Sequence, residues 1–168
     1  MGARRRLTLL RHGKAHDESS APAGDFTRTL TKRGARDAEE MARHLLARGL
    51  APDLIIASPA LRAWATAAIV AERCGLEHDR LRAAPDLYLA EPSTIWKIAA
   101  ATDASVGHLL ICAHNPGLSG LASRFGPRPQ ARQLPTAGLA SAAWSGGAWS
   151  GLEPEDAETV EFDAPDHT

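Results

Sequence analysis

The sequence predicts an α/β fold: a three-layer sandwich with a largely parallel central sheet and one or more late antiparallel strands. Two observations carry this. "LTLL" at Leu7–Leu10, "DLIIAS" at Asp53–Ser58 and "HLLICA" at His108–Ala113 have continuously apolar centres, as strands buried on both faces do. The stretches between them have helical period, and alternating strands and helices make parallel sheets. At 168 residues the chain suits one domain, 1–168, with its core at about 7–162.

Leu7–Leu10 is flanked by charge and reads as the first strand. The polar residues His16–Arg28 read as a loop. In "TKRGARDAEEMARHLLARG", Ala35, Ala38, Ala42, Leu45 and Leu46 share one helical face, and Glu39 and Arg43 have the spacing of an ion pair. Gly49 ends that helix and Pro52 prevents its resumption. After the second strand, Ser58-Pro59 reads as an N-cap and first-turn proline, opening a helix that Gly75 stops. "LRAAPDLYLAE" suits a short strand and a loop, and Ser93–Ala101 a helix. After the third strand, Asn115-Pro116 repeats the cap-and-proline pattern, with a helix to about Arg124. "GPRPQARQLPT" is a proline-rich loop. "AGLASAAW" and "ETVEF" suit the late strands, with Trp144–Gly151 as a hairpin turn between them. Asp163–Thr168 reads as a frayed polar tail.

Composition excludes several classes. A net charge of −1 supplies no general attraction for nucleic acid or a membrane surface. Cys74 and Cys112 are the only cysteines. They fit neither a disulfide scaffold nor a zinc site, and read as buried thiols. No apolar run approaches the roughly 18 residues that span a bilayer. Arg4–Arg6 precede too short an apolar stretch for a signal peptide, and Met1-Gly2 lacks the Ser or Thr that myristoylation requires at position 6. A cytoplasmic protein is expected.

Each apolar run ends in a polar junction: Arg11-His12-Gly13, Ser58-Pro59 with Arg62 just beyond, and His114-Asn115-Pro116-Gly117. Ligands of open α/β sheets bind outside the carboxyl ends of strands. Two arginines and two histidines would therefore converge on one crevice. Arginine presents a planar fork of donors that fits phosphate. Helix N-termini add backbone donors and a favourable dipole. Arg62 opposes that dipole, which makes sense if an anion lies beside it. Neutral histidine is a competent nucleophile. His12 would attack phosphorus in line, Gly13 would let the phosphate approach closely, and Arg11, Arg62 and a protonated His114 would stabilise the equatorial charge.

These motifs also carry a family resemblance. "LLRHGKA" resembles the Arg-His-Gly signature of the histidine phosphatase superfamily, with its phosphoglycerate-mutase-like fold. "RTLTKRGARDAEEMARHL" is similar to the segment and helix that follow in the family. "IIASPALRAWATA" resembles its Ser-Pro-x-x-Arg-x-x-x-Thr element, through Ser58, Pro59, Arg62 and Thr66. "LLICAHNPGL" is similar to its second-histidine strand end, and "LPTAGLA" to a late strand entry of small members. The resemblance runs from Leu7 to about Ala142, and several motifs in this order are far more specific than one.

It implies His12 as the phosphorylated nucleophile and Arg11, Arg62 and His114 as the phosphate pocket. The lack of a long helical insertion is most similar to the small SixA-type phosphohistidine phosphatases. The resemblance thus implies a phosphate-bearing substrate, in the first instance phosphohistidine in a signalling protein, with no cofactor and no metal. Larger relatives use a clear glutamate as general acid. Asp86 is the better positional match here and Glu91 the alternative, neither in an acid motif. A good acid contributes ~10²–10⁴-fold, but a phosphoramidate has an easier leaving group than an alkyl phosphate. A small-molecule phosphate ester hydrolase and a non-catalytic phosphoprotein-binding module are the alternative readings.

Other residues have simpler readings. His12 and His16 have the spacing of a zinc pair on a helix, but Gly13 disfavours a helix and no third ligand is apparent. His16 is then a loop residue. Lys14 either draws in phosphate or is solvated, and Asn115 reads as a cap. Thr66, one turn after Arg62, would fix that helix or its arginine. His108 reads as structural, His44 and His78 as surface residues, the four tryptophans as core or rim packing, and Glu153–Glu161 as a solvated face.

Overall fold

The computed structural model describes residues 4–167. The Met1-Gly2 reading lies outside them. A six-stranded sheet has the order β3-β2-β4-β1-β5-β6, with β1 at Arg5–Arg11, β2 at Leu54–Ala57, β3 at Leu81–Ala83, β4 at His108–Ala113, β5 at Leu139–Trp144 and β6 at Thr159–Asp163. Strands β1 to β4 run parallel, while β5 pairs antiparallel with β1 and with β6. β1 lies between β4 and β5 and β4 between β2 and β1, so His12 and His114 follow strands that are direct neighbours in the register Arg11 to Ala113.

The helices cover both faces: α1 (Lys32–Ala47), α2 (Leu61–Arg73), α3 (Pro92–Ala100) and α4 (Gly117–Ala122). Met41, Leu45, Ala67 and Val70 of α1 and α2 pack with Leu10, Ile55 and Leu110. Ile95, Leu118 and Leu121 of α3 and α4 pack with Leu7, Leu9 and Ile111 on the opposite face. Strands buried on both sides read as near-continuous apolar runs, and β4 and β5 are buried throughout, His108 and Ser141 included. No helix among the described residues is long and apolar enough to cross a membrane.

Several local readings change. The buried face of α1 is Gly34, Asp37, Ala38, Met41, Ala42 and Leu45; Leu46 is exposed. Glu39 pairs with Arg73 of α2, rather than with Arg43, at 3.0 Å. Thr31 caps α1 by accepting from the Gly34 N–H. α2 begins at Leu61 behind Ala60, so Ser58 and Pro59 precede it. The segment between β5 and β6 is no tight hairpin. It carries two 3-10 turns and buries Trp149, whose indole donates to the Val106 carbonyl at 2.8 Å. The tail folds back on α1, where the His167 ring lies 3.2 Å from the Asp37 carboxylate and Glu40 accepts the Asp166 N–H.

Candidate active site

The three strand ends meet in a cleft of about 420 Å³ lined by Arg11, His12, Lys14, Asp25, Arg28, Arg62, Leu89, His114 and Asn115, among others. His12 lies just past β1 and is buried. Its Nδ1 is 2.8 Å from its neighbour's carbonyl, that of Gly13. A carbonyl only accepts, so Nδ1 carries the proton and Nε2 keeps its lone pair. Arg62 Nε donates to that Nε2 at 3.3 Å. Burial, with smaller contributions from Arg62, Arg11 and Arg28, lowers the His12 pKa to about 4 despite the Gly13 bond. The ring is therefore neutral at pH 7.

Arg62 sits in the first turn of α2 and is 2% exposed. Its Nη2 also reaches His114 Nδ1 at 3.3 Å. A guanidinium only donates, so His114 Nδ1 accepts and Nε2 donates to Ser58 Oγ at 2.8 Å. Ser58 Oγ accepts the Ala60 N–H as well. Ser58 is thus a support for His114 rather than a helix cap. Burial first, then Arg62 and His12, lower the His114 pKa to about 3. In place of the expected protonated His114, the structure holds a neutral ring beside Arg62. An incoming dianion would oppose that shift.

Arg11 donates to the Leu134 carbonyl at 3.1 Å. Its buried Nε has no partner among the described residues. Asn115 donates to the same carbonyl and accepts from the Ser119 N–H, one turn into α4. Pro116, not Asn115, holds the cap position of α4, but the Asn115 side chain satisfies a first-turn N–H of that helix and steadies the Arg11 contact at once. Thr66 Oγ1 accepts the Gly13 N–H at 3.0 Å and donates to the Arg62 carbonyl at 2.7 Å. One hydroxyl thus joins the two segments that carry His12 and Arg62.

Gly13 makes room for protein rather than for phosphate. A Cβ there would lie 2.7 Å from the Gly34 carbonyl oxygen. Gly34 in turn faces the Lys14 backbone, so two glycines let the start of α1 close against the end of β1.

Asp86 does not reach the cleft. It is exposed in the 3-10 turn Pro85–Leu87, because Leu87 takes the buried position of that turn. Glu91 is exposed at the start of α3. His16 is also exposed and lies outside the lining residues. The acid that does arrive is Asp25, from the polar loop after β1. Its backbone carbonyl accepts from Arg62 Nη1 at 2.7 Å and its Oδ2 from Nη2 at 2.9 Å. Tyr88 donates to Oδ2 at 2.5 Å, and Arg28 to Oδ1 at 3.1 Å. Burial raises the Asp25 pKa, but the bonds from Tyr88, Arg28 and Arg62 outweigh it and hold it at about 2. Tyr88 also stands edge-on to the His114 ring, centroids 5.4 Å apart. Sequence reasoning passed over both residues. The only signal available was that Tyr88 is the single tyrosine of the chain.

Comparison with known proteins bears on the family and the fold. The family model of the histidine phosphatase superfamily (branch 1) matches residues 7–87. An uncharacterized protein of Mycobacterium leprae (strain TN) is 32% identical over 164 residues, covering 89% of this chain and 98% of the relative. The chain belongs to the histidine phosphatase superfamily. Among solved structures, one from Agrobacterium tumefaciens, provisionally named a phosphohistidine phosphatase SixA, is 27% identical at a TM-score of 0.76, covering 96% of this chain and 99% of that one. One from Nakamurella multipartitia with the same provisional name is 24% identical at a TM-score of 0.83, covering 98% and 99%. The protein histidine phosphatase SixA complexed with tungstate is 23% identical at 0.74, covering 94% of each chain. The chain is thus a phosphatase of this superfamily with a SixA-like fold.

Proposed function

We propose that this phosphatase hydrolyses phosphohistidine in a protein substrate, through a covalent phosphoryl group on His12. One observation carries the reading: His12 Nε2 is the unprotonated ring nitrogen, held so by the Nδ1 bond to Gly13, and it points at the buried Arg62 guanidinium. The bonds from Arg62 to the two histidines are long, at 3.3 Å each. They are the ones an entering phosphoryl group would replace with shorter charge-assisted bonds. Arg11 Nε would supply a further donor. The Nε2 lone pair attacks phosphorus as the bond to the leaving group breaks, and its electron pair departs with that group. Water then attacks the phosphorylated His12, releasing phosphate and restoring the neutral ring.

Two features favour a protein phosphohistidine over a small phosphate ester. Neither Asp86 nor Glu91 enters the cleft to protonate an alkoxide. Leu89, an exposed apolar side chain, lines the cleft, and the exposed Phe26 stands against the Tyr88 ring, centroids 5.0 Å apart, apolar surface suited to a protein partner. The 27% identical SixA-named structure supports the same substrate class.

The test is a substrate panel with trapping of the intermediate. Rapid quenching with labelled phosphoramidate should yield an acid-labile, alkali-stable adduct at His12, and His12→Ala should fold, form none and lose turnover. A phosphohistidine peptide should be preferred to sugar phosphates. An acid-stable adduct, or faster turnover of sugar phosphates, would refute the proposal.

A further inference from the structure

We infer that Asp25 selects the leaving group: its carboxylate accepts an N–H from a positively charged leaving group, and so favours phosphoryl donors with a protonated ring over neutral or anionic phosphate esters. The inference deepens the phosphohistidine reading above and rests on it.

The argument begins with lone pairs. A carboxylate offers about four acceptor sites. Arg62 and Tyr88 occupy Oδ2, and Arg28 occupies one site on Oδ1. One site on Oδ1 remains for a further donor. Asp25 also keeps contact with solvent, at 29% side-chain exposure against 3% for Arg62. It therefore stands at the mouth of the cleft while Arg62 lies in its wall.

In-line displacement puts the leaving group on the far side of phosphorus from His12 Nε2. His12 is deep, so the far side is the mouth, where the half-buried Asp25 and Arg28 and the exposed Lys14, Asp17 and Leu89 lie. A leaving group there meets an ionised carboxylate already anchored by three donors. An anionic or neutral sugar is not attracted by it. A phosphorylated imidazole with a proton on its distal nitrogen carries positive charge and one N–H, and suits the open Oδ1 site.

The chemistry balances without proton transfer from Asp25. The His12 Nε2–P bond forms and the P–N bond of the substrate breaks. The electron pair of that bond returns to the substrate ring and cancels its positive charge, while the distal proton stays in place. The product is neutral imidazole. Asp25 thus favours the reactive protonated ring as a hydrogen-bond acceptor, which its ionised state permits and a general-acid role would not. The same carboxylate competes with free anions for Arg62 Nη2.

The experiment compares the native chain with Asp25→Asn and Asp25→Glu, on phosphoimidazole and p-nitrophenyl phosphate, from about pH 5 to pH 9. Asp25→Asn should lose about ten- to hundredfold of kcat/KM on phosphoimidazole, the range of a hydrogen bond to a charged group. The loss should be greatest above the pKa of the substrate ring, so the alkaline limb moves to lower pH. The loss on p-nitrophenyl phosphate should be far smaller, and Asp25→Glu should recover part of the phosphoimidazole rate. Inorganic phosphate, measured as an inhibitor of the aryl reaction, should bind several-fold more tightly to Asp25→Asn. Equal losses on both substrates, or weaker phosphate binding by Asp25→Asn, would overturn the inference and leave Asp25 as a prop for Arg62. Absence of the His12 adduct in the native chain would instead overturn the phosphohistidine reading itself, whatever Asp25 does.

Discussion

Thr66→Val isolates the single hydroxyl that joins the nucleophile segment to the arginine helix. Thr66 is fully buried, and valine has nearly its shape, so the change opens no cavity. It removes an acceptor from the Gly13 N–H at 3.0 Å and a donor to the Arg62 carbonyl at 2.7 Å. The carbonyl keeps its place in the α2 ladder and loses little. The Gly13 N–H is left buried without a partner, which costs about 1–3 kcal/mol. Thr66→Ser keeps the hydroxyl and loses one methyl, worth about 0.8 kcal/mol. Urea unfolding of the three proteins, read at constant m, compares the two costs directly. Thr66→Val should be the less stable variant and should also lose kcat/KM, since Gly13 adjoins His12. If Thr66→Ser proves as destabilised as Thr66→Val, the hydroxyl bridge is not what holds these segments together.

Two further predictions follow from packing and titration. Gly13→Ala would place its Cβ 2.7 Å from the Gly34 carbonyl oxygen and should cost about 1–3 kcal/mol as an overpacked site; an unchanged urea midpoint would count against the close approach of α1 to β1. Burial lowers the pKa of His12 and of His108 to about 4 and that of His114 to about 3, against about 6.5 in the unfolded chain. Below pH 6.5 the unfolded chain binds protons that the native one does not. Stability should therefore be level above that pH and fall toward pH 4, by up to about 1.4 kcal/mol per pH unit for each histidine. In phosphate-free buffer His108→Gln should remove one histidine's share of the slope, and a level urea midpoint across this window would refute the assignment.

What the sequence made legible was mostly local. Continuous apolar runs located β1, β2 and β4 because both faces of those strands are buried, and Gly49 and Gly75 marked two helix ends because both take positive φ, at 67° and 69°. Ser58-Pro59 misled because the same residue pair serves a cap or, as here, a support for His114 Nε2. Glu39 offered an intrahelical partner at the usual spacing, yet Arg73 from α2 reaches it, a contact that only helix packing creates. The site divided along the same line. Arg11, His12, Arg62 and His114 stand at strand ends or first helical turns, positions that topology brings together. Asp25 sits in a polar loop with no period and no motif spacing, and its partnership with Tyr88 spans 63 positions. Nothing local distinguishes such an aspartate from a solvated one.

The position of Arg62 ties the two halves of the site together. A cation in the first turn of a helix works against the helix dipole by about 0.3–1 kcal/mol, and burying it at 2% exposure raises the cost of leaving it unpaired. Arg11 adds like charge, and burial and Arg62 together lower the Arg11 pKa. Such a cluster needs an anion whether or not substrate is bound. Asp25 is that anion, and its backbone carbonyl and Oδ2 take both terminal nitrogens of the guanidinium. Arg62 Nε remains directed at His12, so the aim of the arginine is set by the protein itself. A fork aimed in advance spends little of the substrate's binding energy on ordering. The carboxylate that stabilises this arrangement also stands where a leaving group must depart. Holding the resting site together and discriminating among leaving groups are then two consequences of one aspartate, and the different responses of phosphoimidazole and aryl phosphate to its removal are what separate them.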